Sequence, residues 1–479
     1  MSAAGKEAEI PLCVSCEHAL LKTNILHEAI FLLVKRNLLN VFFLPIWFLR
    51  GRSELIRQVS EKIKVDWRAA PVHAGVVERV RAAHGDNRQV FLLTSMPQTW
   101  AQELCAEFDC SKAIVVDENA LETGAGDARS PLTNLFSARG FDYIGDGRRD
   151  LPICRSARRV MIVGSNRTTI TRAKMNSSVE GVIPGDRAGL FTFIKMIRVH
   201  QWIKNCLILV PLLAAHRLTS LHSIGMAAVA FMAFSFCASS VYVLNDLLDV
   251  ESDRQHVRKR HRPIAAGQIG VNQALITGLL LFVIAAWMAL RVSALFALTV
   301  GIYFVMTSAY SLRLKRQVIV DVMLLAALYT IRVVAGAVAT TVVPSFWLLA
   351  FSMFLFLSLA VVKRYSEMLV TLSQEKQYAS GRGYSVEDLP VLLSLGVSAG
   401  IAAIVVLALY INDPATNKLY PSTIWLWPVP PLMLYWVSRV WMKAHRGELH
   451  DDPVVFAMRD WQSLVTVVLG GLCFTAAAI

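Results

Sequence analysis

Charge is scarce in this chain. Of 479 residues only 17% are Asp, Glu, Lys or Arg, while 55% are hydrophobic; an ordinary soluble domain carries about 25% charged residues. With a positive mean hydropathy, that shortage excludes a wholly soluble protein and puts most of the chain in lipid. Acidic residues are the scarcer sign, 35 against 48 basic, for a net charge of +13. Such an excess can serve nucleic acid. Here, however, the basic residues punctuate apolar runs, a pattern of membrane topology and of contact with anionic headgroups or phosphates, so no nucleic-acid partner is expected. Cysteine supplies no framework: the eight are scattered, and Cys13-x-x-Cys16 has no second pair to complete a metal knuckle or disulfide scaffold. Nor is a cleavable signal peptide expected, because the N-terminus is polar and the first apolar run begins near Ile30.

What is present falls into two textures. Over residues 1–165, short strand-like runs (Pro11 to Val14, Val90 to Leu93, Ala113 to Val116, Phe141 to Ile144, Val160 to Val163) alternate with charged helical segments. This alternation predicts a small α/β domain with a mostly parallel sheet. Thr94-Ser95 and Gly145-Asp146 fall just past strand ends, where such folds keep their sites. The segment resembles the haloacid-dehalogenase-like (HAD) fold, which opens with DxDGT after its first strand, has a Ser/Thr after the second and carries GDxxxD near the end. Thr94-Ser95 and Gly145 to Asp150 match, but Ser15-Cys16-Glu17-His18-Ala19 stands where the opening motif should be. Ser15 thus replaces the nucleophilic Asp, Glu17 the second Asp, and no lysine lies between Arg129 and Gly140 for the family's phosphate contact. Transfer through an aspartyl-phosphate needs that first carboxylate, so the resemblance implies a degenerate domain serving docking, regulation or stability. Asp146 and Asp150 are read as satisfied loop carboxylates. Ala29 to Leu49 is apolar but broken by Lys35, Arg36, Asn37 and Asn40, too short to span; an interfacial hairpin with Phe42, Phe43 and Trp47 in lipid and a buried helix pair both stay open. Residues 166–193, polar and without apolar periodicity, read as a linker.

Residues 194–479 repeat apolar runs to the end. Nine spans are expected, near 202–215, 222–244, 271–290, 293–310, 319–339, 345–362, 388–411, 423–442 and 461–478. Their connections alternate in charge, fifteen Lys and Arg on one side against three on the other. The positive-inside rule then puts the N-terminal domain and the charged motifs on the cytoplasmic face of the inner membrane, in a multi-pass arrangement.

One stretch organises the second half: Asn245, Asp246, Asp249 and Asp253 at the end of the second span, followed by Arg254, Arg258, Lys259, Arg260 and Arg262. At about 100° per residue the four oxygen-bearing side chains share a helix face while Glu251 points away. Carboxylates so placed repel unless a cation sits among them, and hard oxygen ligands that share the ion with a phosphate suit Mg²⁺. The basic run can hold the same phosphates. On the same side lie Tyr310, Arg313 and Lys315 with Asp321 opening the next span, Lys363 and Arg364 ending the sixth, and Lys204 beside Trp202 in the first. Arg332 sits about a dozen residues into the fifth span, where a charge costs roughly 2.5 to 3.5 kcal/mol; it is expected to face a polar cavity and to form a site with Asp321.

Taken together these motifs resemble the UbiA superfamily of intramembrane prenyltransferases over about 194–479. NDxxDxxxD, here Asn245, Asp246, Asp249 and Asp253, matches that family's first Mg²⁺-diphosphate signature. QWIKN (Gln201 to Asn205), KRxRPIAAG (Lys259 to Gly267) and YSLRLK (Tyr310 to Lys315) look most like the branch typified by decaprenyl-phosphate phosphoribosyltransferase. The resemblance implies Mg²⁺ held by Asn245, Asp246, Asp249 and Asp253, a diphosphate-bearing donor such as phosphoribosyl diphosphate, and a polyprenyl phosphate acceptor. Lys204, Asn245, Lys259, Arg260, Arg262, Tyr310, Lys315, Arg332, Lys363 and Arg364 would contact substrate. Asp321 is followed by Leu325 rather than a second acidic residue, so a second DxxxD metal motif is absent; Asp321 would take a proton only from an aromatic acceptor. The competing readings are prenylation of an aromatic or other small acceptor, a transporter, and a membrane-tethered HAD phosphatase. Homo-oligomerisation stays open.

Overall fold

The computed structural model of the chain describes residues 10–116, 132, 135–137, 139–146, 150–164, 166–185, 189–216, 220–375, 377, 382–449 and 452–479. Lys376, Arg217 and much of the Arg129 to Gly140 stretch lie outside them. The chain divides into two units, Met1–Ile197 with Val243–Thr277, and Arg198–Tyr242 with Gly278–Ile479.

In the first unit, β-branched and leucine-rich runs pair into a six-stranded parallel sheet. The strands are β1 (Leu12–Ser15), β2 (Val90–Thr94), β3 (Lys112–Val115), β4 (Asp142–Gly145), β5 (Val160–Val163) and β6 (Val179–Ile183), ordered β3-β2-β1-β4-β5-β6. Central β1 is buried at every position and registers Leu12 against Val90 on one side and Asp142 on the other. Parallel pairing demands crossovers that cover both faces. One face packs with Leu20, Val59, Trp67 and Trp100, the other with Phe141, Tyr143, Ile153 and Cys154. Five strands stand where expected. The sixth corrects the linker reading: a helix at Arg167–Asn176, capped by Asn166, and β6, paired with β5, occupy part of it. β6 is an edge strand interrupted by Glu180 and Gly181, so its apolar residues never form a recognisable run.

Residues 25–49 form two helices of opposite character. Helix α1 (Ile25–Arg36) buries Ile25, Glu28, Ala29 and Leu33. Helix α2 (Asn40–Leu49) buries only Trp47 and leaves Val41, Phe42, Phe43, Ile46, Phe48 and Leu49 exposed.

Segment 243–277 also belongs to this unit. The Leu221–Leu248 helix ends just before Asp249 (φ −96°, ψ 6°), a short helix follows at Val250–Gln255, and a tight turn spans Lys259–His261. The acidic residues therefore do not lie on one continuous helix. Asp249 N–H still donates to Asn245 O (2.9 Å) and Asp253 N–H to Asp249 O (2.8 Å), so the four-residue phase survives the break. Behind it, Val243, Leu247, Val250, Ile264, Ile269 and Val271 form a core with Met196.

The second unit is a helical bundle. Among the described residues of the whole chain, seven helices are long and apolar enough to cross a membrane: Leu221–Leu248, Val271–Val292, Ala294–Leu312, Val320–Ala339, Phe346–Ser373, Val386–Ile411 and Trp461–Ala478. The protein is a multi-pass membrane protein. Two of the nine expected spans are shorter. The first is a tight-turned stretch, Val199–Leu209, continued by Val210–Ala214 around Pro211; the eighth is Val429–His445, with Pro428, Pro430 and Pro431 at its start. Proline lacks the donor a longer helix needs there. Gly336 lets the Val320–Ala339 helix close on Ile208: a Cβ there would lie 2.0 Å from the Ile208 carbonyl oxygen.

Candidate active site

In segment 243–277, Asp246 and Asp253 are almost wholly buried, and both accept from one nitrogen, Arg262 Nη1, at 3.1 and 2.6 Å. Asn245 Oδ1 is buried and, among the described residues, has no hydrogen-bond partner. A buried amide oxygen left unmet costs about 1–3 kcal/mol, so this arrangement has acceptor capacity to spare. Asp249 is half-buried; among the described residues, no three Asp, Glu, His or Cys side chains are drawn together as a metal set. The donors are nonetheless all oxygen, two of them ionisable, with the positive charge between the carboxylates supplied by a guanidinium that is 29% exposed. That chemistry fits Mg²⁺. Lys259 and Arg260 sit exposed on the adjoining turn. Arg254 departs from the expected basic rim: its guanidinium is paired with the Glu28 carboxylate and the Ala265 carbonyl.

The second unit gathers the other predicted residues into two clusters. In one, buried Asp321 accepts from Arg364 through both oxygens and from Arg382 (3.4 Å). Tyr310 OH accepts from Arg364 (2.8 Å) and Arg382 (2.9 Å), and Glu367 pairs with Arg364. A carboxylate held by two guanidinia has little capacity as a base, and Arg364, 1% exposed, is fixed with it. Lys315 lies beside this cluster through its carbonyl, which accepts from Arg382 (3.5 Å).

In the other, Lys204 and Lys363 both reach Asp452 Oδ2, at 2.7 and 3.2 Å, and Tyr329 OH donates to the same carboxylate at 2.9 Å. Burial would raise the Asp452 carboxyl, but Lys363 and Lys204 outweigh it and hold the group well below the usual range. Two ammonium groups converging on one carboxylate leave a net positive charge for an anion.

Arg332 corrects the expectation of a polar cavity. It donates to Asn205 Oδ1 (2.8 Å), Tyr303 OH (3.1 Å) and the Leu328 carbonyl, and its guanidinium lies 5.3, 5.0 and 5.6 Å from the rings of Phe234, Tyr303 and Tyr329. Its charge is met by the bundle, and its partners are not those of Asp321. An apolar cavity of about 670 Å³ opens elsewhere in this unit, lined by Pro211, Leu348, Phe351, Leu359, Trp436 and Phe474 among others.

At the strand ends of the first unit, Glu17 Oε1 accepts from Thr94 Oγ1 (2.7 Å), Ser95 N–H (2.7 Å) and Ser95 Oγ (3.0 Å). The donors after β2 are thus spent on the chain's own carboxylate. Ser15 is buried, and Asp150 Oδ2 accepts from Asp146 N–H (3.2 Å).

Sequence reasoning missed Asp452, Tyr329 and Tyr303. Asp452 had a local signal, an acidic residue before Pro453 whose side chain caps the Pro453–Arg459 helix. Its role among lysines from distant positions had none.

The family model described as the UbiA prenyltransferase family matches residues 206–464, just over half the chain. The chain is similar to the Uncharacterized protein y4nM of Sinorhizobium fredii, 32% identical over 465 residues, 95% of this chain and 88% of that one. It is also similar to decaprenyl-phosphate phosphoribosyltransferase of Mycobacterium tuberculosis, 38% identical over 179 residues, which span 36% of this chain and 59% of that protein. Among solved structures, a UbiA homolog from Archaeoglobus fulgidus bound to GPP and Mg²⁺ aligns with a TM-score of 0.47 and 14% identity over 60% of this chain and 100% of that one. With its buried acidic pair and apolar helices, the chain belongs to the UbiA prenyltransferase family and is a membrane transferase.

Proposed function

We propose that the protein transfers 5-phosphoribosyl from phosphoribosyl diphosphate to a polyprenyl phosphate. The observation that carries this reading is the convergence of buried Asp246 and Asp253 on Arg262 beside the unmet Asn245 oxygen. It is an all-oxygen locus bordered by Lys259 and Arg260. The choice of donor is supported by the similarity to the mycobacterial phosphoribosyltransferase and by the Arg364–Asp321–Arg382 cluster. That cluster commits Asp321 to charge pairing rather than to proton abstraction, and an ionised phosphate acceptor needs no base.

In the reaction the bond from ribose C1 to the diphosphate oxygen breaks and one from C1 to the acceptor phosphate oxygen forms. Asn245, Asp246, Asp249 and Asp253 would hold Mg²⁺, which when bound supplies positive charge to the departing diphosphate. Arg262, drawn off the carboxylates, would pair with the diphosphate alongside Lys259 and Arg260. Lys204 and Lys363, with Tyr310 and Lys315 in the second unit, would give that unit its own positive charge for an anionic group. The apolar cavity suits an isoprenoid tail. Charge asymmetry of the loops supports a cytoplasmic face for the phosphate chemistry in the inner membrane. The exposed apolar face of α2 supports its lying in the lipid interface. The first unit reads as a degenerate HAD-like domain, its donors after β2 closed by Glu17.

The test is to give purified protein and Mg²⁺ labelled phosphoribosyl diphosphate with polyprenyl phosphate and, in parallel, a prenyl diphosphate with aromatic acids. A lipid-linked ribose 5-phosphate is the expected product. Turnover only in the second arm overturns the choice of donor.

A further inference from the structure

Helix α1 grips the acidic segment along its length. Glu28, buried on α1, receives Arg254 through two parallel hydrogen bonds of 2.9 and 2.7 Å, with both side chains about nine-tenths buried. The third face of the same guanidinium donates from Nε to the Ala265 carbonyl at 3.1 Å. Phe31 packs into the core made by Leu247, Val250, Ile264 and Ile269. Asn272 Nδ2 lies 3.2 Å from His27 Nδ1, and Lys35 reaches Glu251 at 3.5 Å. Gly267 sits at φ +71°, where a Cβ would meet the Pro71 and Thr23 side chains at 2.9 Å, so the segment lies directly against these residues.

Arg254 adjoins Asp253, and Ala265 lies three residues beyond Arg262. Between them the chain is exposed from Gln255 to His261. Such a loop has little packing of its own to fix the distance between the Asp253 carboxylate and the Arg262 guanidinium. Arg254 ties its two ends together, and Glu28 orients Arg254. Bidentate pairing supplies direction as well as charge.

We propose that Glu28 is a positioning residue for the diphosphate site, acting through Arg254, and that helix α1 contributes to the reaction by bracing this loop. The proposal rests on the transferase reading given above. It assigns α1 a task that requires no chemistry at the strand ends.

The test uses the full-length protein. Glu28→Gln keeps the shape and removes the charge that orients Arg254. It is expected to raise the KM for the diphosphate donor and the Mg²⁺ concentration for half-maximal rate by roughly tenfold, the scale of a lost charged hydrogen bond, with kcat retained. Trypsin should cut faster at Arg258, Lys259 and Arg260. The exchange Glu28→Arg with Arg254→Glu should recover part of both. If Glu28→Gln does not accumulate, Glu28→Asp, which keeps the charge and shortens the reach, gives the same two readings. Unchanged KM with unchanged cleavage, or a loss confined to kcat, overturns the proposal. Cleavage reports on the loop whatever the substrate, so a wild type that turns over neither donor but shows the Glu28-dependent protection refutes the transferase reading and spares the brace.

Discussion

Two places in the first unit put acidic side chains near the ends of buried elements, and they differ in what surrounds those side chains. After β1, Glu17 accepts three hydrogen bonds on a single oxygen, from Thr94 and from the backbone and hydroxyl of Ser95. In segment 243–277, two buried carboxylates share one nitrogen of a part-exposed arginine, and the neighbouring amide oxygen has no partner among the described residues. The first place spends the donors after β2 on the chain's own carboxylate, whereas the Asn245 oxygen leaves the second an acceptor that gains by taking a ligand. The contrast recurs in the second unit. Arg332 is enclosed by three acceptors and three aromatic rings, while Lys204 and Lys363 share a single carboxylate.

The sharpest way to break the comparison is to remove the acidic pair. Asp246→Ala or Asp253→Ala should lower turnover roughly 100-fold to 1,000-fold, as loss of a transition-state charge partner does elsewhere, while the protein still inserts and folds. Radiolabelled product against fluorescence-detected size exclusion separates the two effects. Near-wild-type rates in either variant would void the assignment.

Next in size is Asp452→Asn, which leaves two ammonium groups, that of Lys204 buried and that of Lys363 part-exposed, without their shared carboxylate. Loss of one partner of a buried pair costs about 3 kcal/mol. The thermal midpoint in detergent should fall, and a second exchange, Lys363→Met, should restore part of it. Arg332→Met should also lower the midpoint, but without a change in donor KM, because its polar contacts are all to the bundle; a selective rise in donor KM would return it to the substrate site.

Glu17→Gln should leave turnover as it is, since Glu17 already takes up the donors after β2. A changed rate would mean that the strand ends communicate with the chemistry. Smallest of all is an effect of acid on the sheet. Burial alone would lift the Asp142 carboxyl, but hydrogen bonds from Arg158 and Arg88 outweigh it and hold the group below its ordinary value. Its stabilising contribution is therefore complete above the unfolded carboxylate value of about 3.9 and is lost as pH falls through the lower folded value. Hydrogen exchange at β4 should be equally protected at pH 7 and pH 5 and weaken only in stronger acid, and Asp142→Asn should abolish that step.

The sequence made some of this legible for local reasons. Five strands were readable because buried parallel strands are short unbroken apolar runs, and seven spans because lipid tolerates little else. The acidic motif was legible as a spacing, but the helix break at Asp249 and the shared contact of Asp246 and Asp253 with Arg262 were not. The edge strand β6 was not, since half of it faces outward and Gly181 breaks it. The two proline-shortened spans kept their apolar composition but lost helical length. The Lys204–Lys363–Asp452 cluster was half-readable: its lysines drew notice as basic residues at the ends of spans, but their partner comes from 248 and 89 residues away along the chain. Arg332 was expected to face a polar cavity and is instead buried in the bundle. Whether its surroundings are a cavity or a full shell of acceptors depends on Asn205, Tyr303 and Phe234, which no spacing connects to it.

The central claim is that the segment holding Asp246 and Asp253 takes a divalent cation together with a diphosphate. Titrating Mn²⁺, as a paramagnetic substitute for Mg²⁺, into purified protein with and without inorganic diphosphate tests it by electron paramagnetic resonance. Binding that strengthens with diphosphate in the wild type and disappears in Asp246→Ala is the predicted result; equal binding in the two proteins, or none in either, would contradict it.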